Sequence, residues 1–96
     1  MEIKLSDIKK AIEMLLASLD EEGKDAIELE VDYFWEIDLN DIYNPYVEPT
    51  DLTLGQLSDN WKFLQLLLKG ERGVISYDFN WMAEILRAIS YTRLIT

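Results

Sequence analysis

Five carboxylates, Glu28, Glu30, Asp32, Glu36 and Asp38, occupy alternate positions of one short run, and Phe34 fills the single gap in their series. Acids so grouped suit three kinds of chemistry. Two of them could act as acid and base on a glycosidic bond, but those carboxyls stand on opposed walls of a deep cleft. A chain of 96 residues seldom builds one. They could hold calcium, but a calcium loop sets acids at alternate positions around a central glycine. Neither Asp38-Leu39-Asn40-Asp41 nor Asp20-Glu21-Glu22-Gly23 has that spacing. Or they could form an anionic face that draws in a basic protein, with Phe34 as an anchor ringed by charge.

The remaining composition favours the third chemistry. Histidine and cysteine are both absent, so no imidazole activates a serine, no thiolate attacks and the commonest metal ligands are missing. No GxxxxGK cradle for phosphate occurs either. The chain is therefore expected not to be an enzyme and to use no cofactor or metal. Nineteen acids against nine bases give a net charge of −10, which repels nucleic acid and anionic membranes. The imbalance is local: residues 20 to 59 hold thirteen acids and only Lys24 as a base, a net −12, so the rest of the chain carries +2. No secretory leader opens the sequence and no apolar stretch reaches the roughly 20 residues of a bilayer span. A cytoplasmic location is the expectation.

The acids must be positioned by the run AIELEVDYFWEIDL, residues 26 to 39. Its odd positions, from Ile27 through Trp35 to Leu39, are apolar or aromatic, a period-two alternation that predicts a half-buried strand with Trp35 inward and Phe34 outward. Neighbouring acids on one face lie about 6.8 Å apart and repel by roughly 0.6 kcal/mol in water, a cost that a stable domain tolerates. The plainer role for such a face is a solvated surface that discourages edge-to-edge aggregation. Thirteen residues would reach about 40 to 45 Å, longer than a domain of this size. Such a strand must bend, break or overhang. It also needs a neighbour, either a short piece such as residues 43–47 or 74–77 or a copy of itself across a dimer axis.

The other elements read as helices and loop. Leu5, Ile8, Ile12, Leu15, Leu16 and Leu19 form an apolar stripe, predicting a helix from Ser6-Asp7 to about Asp20 with Gly23 as its stop. Residues 40–51 hold both prolines and read as a loop, with Tyr43 and Tyr46 flanking the first. Thr53 and Gln56 match a capping box for a second helix that stops at Gly70. Ser76 and Asp78 start a third helix running to about Thr92. Trp61 and Trp81, on helical stripes, are expected in the core. One α+β domain over residues 1–96 is expected: an N-terminal helix, one long strand in a small antiparallel sheet completed within the chain or across a dimer, then two C-terminal helices.

The segment EPTDLTLGQLSDNWKFLQ, with SYDFNWMAEILRAI downstream, resembles an uncharacterised family of small acidic bacterial proteins over roughly residues 30 to 90. That resemblance implies no activity and no site residues. In size and acidity the chain is also similar to immunity proteins that neutralise basic nuclease toxins. The expected function is thus a non-enzymatic module that docks a basic protein, with Glu28, Glu30, Asp32, Glu36 and Asp38 steering and Phe34 anchoring. Tyr43, Tyr46 and Glu48 of the following loop shape the rim. The alternative is a structural homodimer paired through the long strand.

Overall fold

The computed structural model describes residues 1–20 and 25–95, the side chains of 94 and 95 excepted. Its elements are α1 (Leu5–Ala17), β1 (Tyr33–Ile37), α2 (Leu39–Ile42), β2 (Leu52–Gln56), α3 (Leu57–Leu68) and α4 (Ser76–Ile95). The class is α+β as expected, an N-terminal helix followed by a two-stranded antiparallel sheet and then helices.

The core lies between the last two helices. Leu57 and Leu64 of α3 meet Ile85 and Ala88 of α4, and Leu29, Val31, Phe34, Trp81 and Ile89 pack around them half-buried. Helix α3 ends where Gly70 adopts a φ of 72°. There the Gly70 amide donates to the Leu67 carbonyl and the Glu71 amide to that of Leu66, the paired bonds that satisfy the last carbonyls of a helix. Helix α4 opens on Asp78, whose carboxylate accepts the Ile75 amide at 2.8 Å. This is the reach-back half of a capping box, made by the third helical residue.

Helix α1 starts at Leu5 and ends at Ala17, three residues before the expected Asp20. The Ser18 hydroxyl donates to the Leu15 carbonyl, and the Leu19 and Asp20 amides fold back on Leu16 and Ala17, tightening and closing the last turn. The expected stop at Gly23 lies outside the described residues. None of α1's residues is buried. Trp61 also departs from expectation, since its side chain is exposed rather than in the core.

The long strand is a correction: residues 27–32 are irregular and only five residues form β1. Its neighbour is β2, in the register Tyr33↔Gln56, Phe34↔Gly55, Trp35↔Leu54, Glu36↔Thr53 and Ile37↔Leu52. Both expected neighbours, 43–47 and 74–77, lie outside the sheet, and β1 finds its partner within the chain. Thr53 and Gln56 are strand residues and not a helix start, so α3 begins at Leu57. The unsatisfied edge of β1 outweighs a local capping preference, as strand pairing commonly does. Within the expected loop, Leu39–Ile42 make one helical turn, capped by the Asp38 carboxylate on the Asn40 amide at 2.9 Å.

Candidate functional site

The alternation holds as far as Val31 and then changes phase. Leu29 and Val31 turn toward the core as odd residues should. At Asp32 the carbonyl accepts the Leu57 amide at 2.8 Å, and the carboxylate accepts the Ser58 amide at 2.8 Å and the Ser58 hydroxyl at 3.1 Å. Gln56, the residue that precedes α3, makes no side-chain capping bond. Asp32 therefore caps α3 from 26 residues away, satisfying orphan amides and placing negative charge at the positive end of the helix.

Beyond that anchor point the faces are exchanged, because a one-residue slip sends every side chain of a strand to the other side. Phe34 turns in toward the Leu57 and Ile85 core, while Tyr33 and Trp35 turn out, 63% and 66% exposed. The expected roles of Phe34 as displayed anchor and Trp35 as core residue are both corrected. The Phe34 ring lies over Gly55, its partner across the ladder, and a Cβ added there would stand 2.5 Å from the ring's Cζ. Glycine at 55 is what lets the ring lie flat against the sheet.

The outward face is apolar and aromatic. Trp35 stands across from Leu54, with Tyr33 beside it and Leu52 opposite Ile37, and Tyr33, Trp35, Leu52 and Leu54 are all exposed. Ile37 leads into a shallow recess of about 590 Å³ shared with Ile42, Pro45, Tyr46, Val47 and Glu48. The same segment is rich in acids. Glu28, Glu30, Glu36, Asp38 and Glu48 are exposed, as are Tyr43 and Tyr46, whereas Asp32 is half-buried in its capping role. The Glu30 amide donates to the Thr92 hydroxyl at 3.3 Å, fastening the irregular segment to α4. Of the nine expected site residues, the structure joins Tyr46 and Glu48 in the recess and withdraws Asp32 and Phe34. Tyr33, Trp35 and Leu54 were missed; the lone pointer to them was Gly55, a residue that in a strand marks close approach of another group.

The most tightly held ionic group lies elsewhere. Arg72 grips the Asp78 carboxylate with both terminal nitrogens and also donates to the carbonyls of Phe63 and Gly73. Its guanidinium lies 5.7 Å from the Trp81 ring centroid, and Trp81 stacks on Phe63 at 4.8 Å. The Arg72 hydrogen bonds hold the Asp78 carboxyl down at about 2. The carboxylate is committed to that fork and to capping α4, so the cluster locks the α3–α4 connection. Among the described residues no group of three or more acidic or sulfur ligands could hold a metal ion, and no helix is long and apolar enough to cross a membrane.

Comparison with protein-family models, with curated proteins and with solved structures yields no match to this chain.

Proposed function

We propose that the protein is a non-enzymatic binding module that docks a basic protein on the outward face of its sheet. What carries this reading is the pairing of Trp35 with Leu54 on an exposed face, flanked by Tyr33 and joined through Ile37 to the recess that holds Glu48. Large aromatics at the centre of a patch and charges at its rim are how interfaces divide the work: the anchors set the lifetime and the field sets the encounter rate. Residues 25 to 56 hold nine acids and no base, so the partner that fits is positively charged. An inhibitor of a basic toxin, of the immunity type, is the concrete form that small size and acidity support.

The test is capture from native extract at low and high salt. A basic protein should be retained at low salt and released as salt screens the rim. Trp35→Ala should weaken retention about thirtyfold, the effect of losing a central aromatic anchor worth ~2 kcal/mol. Reversing Glu36 and Glu48 to lysine should slow association. Asp32 and Asp38 are unsuitable for charge reversal because they cap α3 and α2. Retention that ignores both Trp35→Ala and the rim reversals would sink the proposal.

A further inference from the structure

We infer that α1 and the apolar cleft beneath it form an interface between two copies of this chain. The chain exposes 8311 Å², whereas a compact monomer of its 11.2 kDa mass exposes about 5,700 Å². The excess is about 2,600 Å², the upper range of what one protomer of an obligate dimer buries. Its radius of gyration, 15.2 Å, likewise exceeds the ~12.5 Å of a compact domain of this length.

Helix α1 contributes to this exposed surface. The stripe of α1 is open along its length, with Leu5, Ile8, Ile12, Leu15 and Leu16 all exposed. Leu16 and Leu19 form one wall of a cleft of about 940 Å³ whose other walls include Leu29, Trp61, Met82 and Ile89. An amphipathic helix beside an open apolar groove is self-complementary: the stripe of one copy fits the groove of the next, and the exchange closes by two-fold symmetry.

Charge places a second copy here and a basic partner on the sheet. Two chains of net −10 repel where their acidic segments meet, but residues 1 to 19 hold three acids and three bases, and residues 57 to 95 hold four acids and five bases. Contact through α1, α3 and α4 brings near-neutral helices together, and the three acids that line the cleft, Asp20, Asp25 and Asp32, set a repulsion that salt screens over about 8 Å.

Sedimentation equilibrium of the full chain at micromolar concentration tests this. The expected mass is twice 11.2 kDa. Ile12→Glu with Leu16→Glu should raise the dissociation constant about a hundredfold, the cost of burying unpaired carboxylates, and Trp35→Ala should leave it unchanged. Both substituted side chains are exposed in the single chain, so far-UV circular dichroism should keep its helical signal. Hydrogen exchange of the unaltered chain gives an independent readout: α1 amides should become protected as concentration rises. A wild-type mass of 11.2 kDa with concentration-independent exchange overturns the inference, as does a dimer lost on Trp35→Ala and indifferent to the α1 substitutions.

Discussion

The sheet region and the helical region solve opposite problems. Residues 25 to 56 carry nine acids and no base, and none of their side chains is buried. Residues 57 to 95 are close to neutral and contain every buried side chain among those described, Asp78 and Thr92 included. The helical half therefore supplies the burial that stabilises the fold, at roughly 25 cal/mol per Å² of apolar surface. The sheet half is fastened to it at a few points: Leu29, Val31 and the Phe34 ring on the core, the Asp32 cap on α3 and the Glu30 amide on Thr92. A region held by so few ties can leave its outer face apolar without compromising the core, which is where a binding surface costs least.

Phe34 and Trp35 stand next to each other on opposite sides of that division, and substituting each in turn tests it most strongly. Phe34→Ala should lower unfolding stability by about 3 kcal/mol, through lost burial and the cavity left over Gly55. Trp35→Ala, one residue on, should change it by no more than about 0.5 kcal/mol. Denaturant melts of the two variants decide the matter; a larger loss at Trp35 would restore the opposite strand phase. Next in size is Gly55→Ala, expected to cost about 2 kcal/mol, because the new methyl meets a ring that the core prevents from swinging aside. A neutral Gly55→Ala would mean the ring is free to move.

The helical half was more legible in the sequence than the sheet half, and for one reason. Its signals are local. Gly70 ends α3 as its left-handed φ requires, and Asp78 lies in the first turn of α4, as the Ser76-to-Asp78 pattern suggests. The alternation of Leu29 and Val31 was likewise readable. What followed depended on contacts between distant residues: Asp32 is taken by the amide of Ser58 at the point where the phase of the strand changes. No pattern within residues 26 to 39 records it. The same holds for β2, whose Thr53 and Gln56 mimic a helix start until β1 needs an edge to pair with. The segment was recognisable as acidic and aromatic, yet the aromatic it displays is Trp35 and not Phe34, one residue away from the expectation.

The division also predicts how the ties rank. Asp32→Ala removes a cap contributed across the fold and should cost about 1 kcal/mol, the usual worth of an N-cap. Glu36→Gln, at an exposed position, should stay within about 0.5 kcal/mol. Thermal melts of the pair separate an acid that holds the fold from one that does not. Equal losses would mean that Asp32 is a rim charge like the others.

The smallest effect at neutral pH belongs to the helical half. With Asp78 held at about 2 against an ordinary 3.8, the folded state binds the proton less readily than the unfolded chain. Its contribution to stability is therefore complete above about pH 4 and is lost as pH falls from there through 2. Following the Asp78 carboxyl carbon by NMR during acid titration should give a midpoint near 2, and Arg72→Gln should move it up toward 3.8, because the fork to Arg72 is the largest cause of the depression. At pH 7 the wild-type carboxylate is ionised under either value, so no titration is felt there. A wild-type midpoint near 3.8 would mean the Arg72 fork is open in solution, and α3 and α4 would then be joined by apolar packing, the Trp81 and Phe63 stack included.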